Sequence, residues 1–425
     1  MSQASNPEKA RSGKQLPRVA FLLSRYPAIS HTFFLKEVLG LRSRGLEIHV
    51  ASINPSDRAI EKLPPVEASE ARQTFYIKSE GKLRLALNVL ATIFRHPTAA
   101  VRGLRAASAL GGWDLKAWAF ALFYLAEALL VGQWMRRNGL RHLHVHFGGP
   151  VATVGMLTAS AWQIPWSITL HGPDEFFDQE QFYLRQKIES AQFIICISDF
   201  CRSQVIRIAP ALPAAAAEVV RLGVDCSVLQ PRAHSTGEAG VIRVVCTGRM
   251  VAAKGHRILL EALATAAQPL AAKGVRIICV LIGDGSERPA LEALSRQLGM
   301  EDAIRFAGAQ AHGETLAKVA EADIFVLASF AEGLPVALME AMALGVPCIS
   351  TMIAAIPELI HNRENSLLVP ASNVEALSAV LIELAADAAL RDSLGQRARK
   401  TVETSYDLSA NLDKLASLWR RRLEG

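Results

Sequence analysis

Short apolar runs alternate with amphipathic stretches along most of this chain. The first run is Arg18–Ser24, and a helical pattern follows in which Phe34, Leu35, Val38, Leu39 and Leu41 fall mostly on one side before Gly45. Ile48–Ile53 is the next run. Strand, helix and strand joined by short links predict a βαβ unit, hence a parallel sheet. Further strands are expected at Leu143–Phe147, Trp166–Leu170 and Phe193–Ser198, and the run Val219–Asp225 closes this half. Residues 228–240 mix Pro, Ser, Thr and Gly and read as a linker. Beyond it the alternation resumes, with strands expected at Val241–Thr247, Ile277–Ile282, Ile304–Ala307, Asp323–Ala328 and Val346–Thr351. The pattern predicts an α/β protein with parallel-sheet domains at 18–230 and 231–405. A disordered basic lead-in is expected at 1–17 and a last helix within 406–425.

One stretch departs from the alternation. Residues 78–141 read as helices rich in Leu, Ala, Phe and Trp, with ten Lys/Arg against three Asp/Glu. That excess of seven exceeds the +6 of the whole chain. Two readings follow: helices packed on the N-terminal sheet, or an apolar and basic face for an anionic membrane surface. A spanning helix needs about 20 apolar residues. Asp114, Lys116 and Glu127 interrupt the run, so it is not read as transmembrane. Elsewhere the composition, 51% hydrophobic and 20% charged, is that of a globular protein. The six cysteines form no Cys-x-x-Cys, which favours a reducing cytoplasm and no zinc site. No apolar segment precedes the first strand, so no secretory signal is expected. Metal-finger spacing and RNA-binding aromatic motifs are absent from the sequence, and no nucleic-acid partner is expected.

The candidate chemistry lies at strand ends. Ala331–Glu340 follows an apolar run and opens a helix expected to stop at Gly345. Pro335 suits a first helical turn, where its missing N–H costs nothing. The loop carries Glu332, Gly333 and Leu334, and the helix carries Glu340. N–H groups at the positive end of a helix suit a phosphate-bearing ligand, and carboxylates suit sugar hydroxyls. Arg249 and Lys254 sit on a second strand-end loop and could clamp a diphosphate. His171, before Gly172-Pro173-Asp174, ends another strand, where ligands bind in open α/β sheets. His142, His144 and His146 alternate on one strand face, but the sequence puts no carboxylate or cysteine beside them to complete a metal site. No Gly-x-Gly-x-x-Gly is present.

The set Gly248-Arg249-x4-Lys254-Gly255, Glu332-Gly-x-Pro-x4-Glu340, Gly283-Asp284-Gly285, Gly223-Val224-Asp225 and His171-Gly-x-Asp174 resembles the family 4 retaining glycosyltransferases of the GT-B fold. The loop Tyr26-Pro27-x-x-Ser30-His31-Thr32-Phe33 resembles an element of their exopolysaccharide and colanic-acid-type members, which usually carry Glu where His31 stands. The resemblance implies two Rossmann-like domains around an interdomain cleft, with the last helix crossing back to the first domain. It implies a nucleotide diphosphate-sugar donor (UDP or GDP) and no metal or other cofactor. In that reading Arg249 and Lys254 meet the diphosphate, Glu340 the ribose, and Glu332 and His171 the transferring sugar. Gly333, Leu334 and Pro335 add backbone donors. Ser30, His31, Thr32 and Asp174 belong to the acceptor side. The acceptor is expected to be a lipid-linked saccharide, used by a cytoplasmic enzyme peripheral at the inner face of the cell membrane. A non-catalytic sugar-nucleotide-binding scaffold and a GT-B epimerase or phosphorylase are the alternatives. Ala354–Glu358 departs from the Gly turn common in the family, and no role is assigned to Glu358.

Overall fold

A computed structural model describes residues 18–28, 32–78, 81–111, 114–172, 174–231 and 238–424. Residues 1–17, Ser30 and His31 lie outside that set. The first sheet contains β1 Val19–Arg25, β2 Ile48–Asn54, β3 Phe75–Tyr76, β4 His142–His146, β5 Trp166–Leu170, β6 Phe193–Cys196 and β7 Ala217–Val219. Their order is β3-β2-β1-β4-β5-β6-β7. The second contains β8 Val241–Thr247, β9 Arg276–Ile282, β10 Ile304–Gly308, β11 Ile324–Leu327, β12 Cys348–Thr351 and β13 Leu367–Val369, in the order β10-β9-β8-β11-β12-β13. The second sheet is parallel throughout, as are the β1, β2, β3 and β4 pairings of the first. Parallel sheets are covered on both faces, so their central strands read as unbroken apolar runs. β11 is such a run, buried at all four positions.

The pattern missed the short edge strands β3, β7 and β13, which are too brief to show a period. It also ran the sixth strand too far. Ser198 caps the helix Asp199–Ile208, its side chain accepting from the Cys201 N–H. A serine oxygen competes for the strand backbone and turns it into a helix start.

By compactness the chain divides into a unit of residues 1–168, 190–193 and 412–425 and a unit of residues 169–189 and 194–411. The division falls at the C-terminal end of β5 rather than at the linker expected near 230. The physical reason is that the loops after β5 and β6 are built into the second unit. Glu358 accepts from the N–H groups of Asp199 (2.9 Å) and Phe200 (2.7 Å) and pairs with Arg221 at 3.1 Å. A Cβ added at Gly223 would lie 2.8 Å from the Leu408 backbone and from the Tyr406 carbonyl. The Gly223-Val224-Asp225 motif is therefore a seat for the chain segment that opens the last helix. That helix, Leu408–Glu424, carries Trp419 into the first unit. There Trp419, fully buried, packs against Phe21, His142, His144 and Phe193 at centroid distances of 4.9–5.8 Å.

Residues 78–141 form helices Lys82–Arg95, Pro97–Gly111 and Leu115–Arg137. The last has 23 residues and, by length and composition, is long and apolar enough to cross a membrane despite the interrupting charges. Its C-terminal half is nonetheless core: Leu125, Ala128, Leu129, Leu130, Val131 and Met135 are buried. Glu127, buried with them, meets Lys78 at 2.8 Å. Gly132 has the Trp162 indole where a Cβ would stand, 2.1 Å away, so the neighbouring helix approaches closely there.

Candidate functional site

Three loops of the second unit interlock at strand ends. The loop after β8 holds Arg249 and Lys254, and it is tied to its neighbours through the backbone. Met250 N–H donates to the Asp284 carbonyl at 2.9 Å, and Phe330 N–H to the Ala253 carbonyl at 2.8 Å. Glycines permit this crowding. A Cβ at Gly255 would sit 2.0 Å from the Ala328 carbonyl oxygen, and Gly255 has φ +63°. The Gly283-Asp284-Gly285 motif serves the same packing: a Cβ at Gly283 would lie 2.0 Å from the Gly248 carbonyl oxygen.

At the centre stands Glu332. Its Oε1 accepts from Lys254 Nζ at 2.6 Å and from Ser329 Oγ at 2.7 Å. The glutamate is 7% exposed. A carboxylate so removed from water needs a cation and donors, and Lys254 supplies the charge. Its neighbour Gly333 lies against the His171 loop, where an added Cβ would be 2.1 Å from the His171 carbonyl oxygen. The structure thus brings Glu332, Lys254 and the His171 loop together. His171 is buried, with its N–H directed at the Glu175 carboxylate (3.3 and 3.5 Å). Lys187, which feels the charge of the same Glu175, is buried completely. Burial pushes its ammonium down to about 7, and the Glu175 carboxylate opposes that fall in part.

Leu334 and Pro335 are buried, and Pro335 is the N-cap of the helix Val336–Ala343 rather than a residue of its first turn. The helix ends at Ala343 with Leu344 as its C-cap, and Gly345 just beyond adopts the left-handed conformation, φ +74°, as a stop at that glycine implied. Glu340 is buried on this helix, its Oε1 3.3 Å from His312 Nε2. Arg249 is exposed on the Lys254 loop. Thr32 is the first residue of the helix Thr32–Ser43, and Asp174 the first of the short helix Asp174–Phe177.

Sequence reasoning missed Ser329, His312, Glu175, Lys187 and Glu358. Ser329 and His312 lie just past strand ends and were findable on that ground. Lys187 and Glu175 had no signal, because an isolated Lys or Glu in a helical stretch reads as solvated. One expectation needs correction: a carboxylate does join the histidines. Glu37 Oε1 lies 3.3 Å from His146 Nε2, and ligand atoms of Glu37, His144 and His146 lie within 4.8 Å of one another. The pattern could not show this, since Glu37 comes from a helix far away in sequence. That donor set is one zinc uses, but the rings of Phe21, Phe34 and Trp419 pack against the two imidazoles. All six cysteines are free and buried.

The assembled groups can do a definite kind of chemistry. A buried carboxylate held by a lysine accepts hydrogen bonds from hydroxyls, and the paired ammonium can face an anion. Comparison with known proteins gives the same direction. Residues 32–228 match the model of Glycosyltransferase Family 4, and residues 235–401 match that of Glycosyl transferases group 1. The chain is 26% identical over 417 residues to the "Putative colanic acid biosynthesis glycosyltransferase WcaL" of Escherichia coli K12, covering 94% of this chain and 99% of that one. It is 24% identical over 418 residues to the "Amylovoran biosynthesis glycosyltransferase AmsK" of Erwinia amylovora, covering 95% and 99%. Among solved structures, Anabaena Alr3699/HepE in complex with UDP and glucose superposes with a TM-score of 0.70 at 16% identity, covering 95% of this chain and all of that one. Two family models in tandem over nearly the whole length, two sheets, and a lysine-held carboxylate at strand ends of the second have one reading: the chain belongs to the family 4 glycosyltransferases of the GT-B fold.

Proposed function

We propose that this glycosyltransferase moves a sugar, with retention of anomeric configuration, from a UDP- or GDP-sugar to a hydroxyl of a lipid-linked saccharide in exopolysaccharide or cell-surface glycan synthesis. The observation that carries the reading is the Lys254–Glu332 pair, 2.6 Å apart, on the loop that abuts His171. Relatives named for colanic acid and amylovoran biosynthesis support the product class, and a neighbour bound to UDP and glucose supports the donor class.

In this reading the anomeric carbon–phosphate oxygen bond breaks as a bond forms to the acceptor oxygen. The acceptor proton leaves to the departing diphosphate. Arg249 and Lys254 face the charge that develops on that diphosphate, where fixed cations lower the barrier most. Glu332, relieved of Lys254, holds sugar hydroxyls. Glu340 takes the ribose hydroxyls, and His171 lines the transferring sugar. No metal is required when two cations serve the leaving group, so activity is expected to survive EDTA treatment unchanged. The basic, apolar helices of residues 78–141 support a location at the inner membrane face, which suits a lipid-linked acceptor.

Calorimetric titration with UDP, GDP and ADP tests the donor site. One diphosphate is expected to bind selectively and Arg249→Ala to abolish the binding. No binding by folded protein overturns the reading in favour of a scaffold. Product analysis separates transfer, which releases free diphosphate, from epimerisation, which does not.

A further inference from the structure

The first unit contains a cavity of about 380 Å³ that the donor chemistry leaves unused. It lies between β3 and the helices Lys82–Arg95 and Leu115–Arg137, within the size range of small-molecule sites, roughly 300–1,000 Å³. Phe75 and Trp134 line it, stacked at 5.3 Å and 6°. Asn88 and Gln133 add neutral donors, and Arg95 and Arg137 add charge. No Asp or Glu lines it. Neither guanidinium has a carboxylate partner among the described residues. The same positive field reaches His96, whose imidazole is pushed below its ordinary value by burial and then by Arg136, Arg95 and Arg137.

The surroundings say what kind of anion fits. Leu83, Leu87, Leu90 and Phe94 form one stripe of the helix Lys82–Arg95, at i, i+4, i+7 and i+11, and all four are more than half exposed. Asn88 and Arg95, on the pocket side, lie about a third of a turn away. Of the 17 exposed large hydrophobics among the described residues, ten fall between 83 and 123. A water-soluble anion has no use for such a stripe, whereas an amphiphile has. We infer that this cavity seats the phosphate of an anionic phospholipid headgroup while the Leu83–Phe94 stripe enters the acyl boundary. The inference rests on the membrane reading proposed above and adds a specific site to it.

Binding of the full chain to vesicles of phosphatidylcholine, with and without phosphatidylglycerol, tests this. The wild type is expected to prefer phosphatidylglycerol. The pair Arg95→Ala/Arg137→Ala is expected to weaken that binding by more than the roughly thirtyfold that two basic residues near an anionic surface contribute without a site. Arg105→Ala/Lys116→Ala, outside the cavity, is expected to cost clearly less, and Leu87→Ser/Phe94→Ser to abolish binding to both vesicles. Circular dichroism melts verify that each variant folds. Glycerol 3-phosphate is expected to change the Trp134 emission, and the change to vanish in Trp134→Phe. Equal losses from the two cationic pairs, or wild-type binding by Arg95→Ala/Arg137→Ala, overturn the pocket and leave the membrane reading standing. Glycerol phosphate binding without any vesicle binding overturns the lipid as its source. Binding of neither overturns both.

Discussion

Lys254 and Glu332 are each other's principal charge partner, and the consequence differs for the two. Lys254→Ala leaves a buried carboxylate with Ser329 Oγ as its one remaining side-chain donor among the described residues. Because Lys254 is partly open to water, the substitution is expected to lower stability by roughly 1–3 kcal/mol in a denaturant titration and transfer activity by about a hundredfold or more. Glu332→Gln keeps the volume and removes the charge, so it is expected to melt near the wild type while losing activity. Gly333→Ala is a sharper probe, because its new methyl group would overlap the His171 carbonyl. The two loops must part, and kcat is expected to fall by about a hundredfold with diphosphate affinity nearly kept. Lys187 gives a pH signature. Its folded value of about 7 lies below the ordinary lysine value, so between about pH 7 and 10 the unfolded chain binds a proton that the folded chain does not. Stability from this group therefore rises with pH across that window and is flat below it. Thermal melts from pH 6 to 10 are expected to show that slope in the wild type and to lose it in Lys187→Met. At this scale the sequence disclosed residues whose spacing is unusual, Glu332 and Lys254 among them. It hid those whose meaning depends on a partner elsewhere. Glu175 and Lys187 look like any solvated pair until β5 and its following helices fold around them.

Elements explain what single residues cannot. Glu358 closes the start of the helix Asp199–Ile208 from another part of the chain, accepting two N–H groups at its positive end. The Tyr406 hydroxyl donates to the Glu358 carbonyl at 2.8 Å, so the two loops and the segment before the last helix share one joint. Glu358→Ala is expected to cost about 1–2 kcal/mol in chemical denaturation. The departure of Ala354–Glu358 from the family turn hid this role, since a cap supplied by a distant residue leaves no local spacing to read. Central strands were legible because burial on both faces makes them continuous apolar words. Edge strands such as β3 and β13 are two or three residues long and carry no period. The helix Leu115–Arg137 mixes both lessons: its composition alone suits a bilayer, yet Glu127 and Lys78 mark where it turns into protein core.

The whole molecule is organised by where the chain leaves a unit and where it returns. The alternation of strand and helix foretold two parallel sheets and their order of appearance. It could not foretell that the division falls at Thr169, because that depends on which loops pack together and not on which strands pair. The return through residues 412–424 brings Trp419 into the first unit, and Trp419→Ala is expected to cost about 3–5 kcal/mol in that unit's unfolding transition. This return has a temporal side. A ribosome delivers β1 and β4 early, but the indole that packs against Phe21 and His144 emerges only after more than two hundred further residues. Domains otherwise tend to fold in the order of their synthesis, at about 5–20 residues per second. For this chain the first sheet waits on codons more than two hundred positions downstream, and nascent chains halted before residue 412 should expose the Phe21–His144 surface to chaperones until Trp419 has emerged.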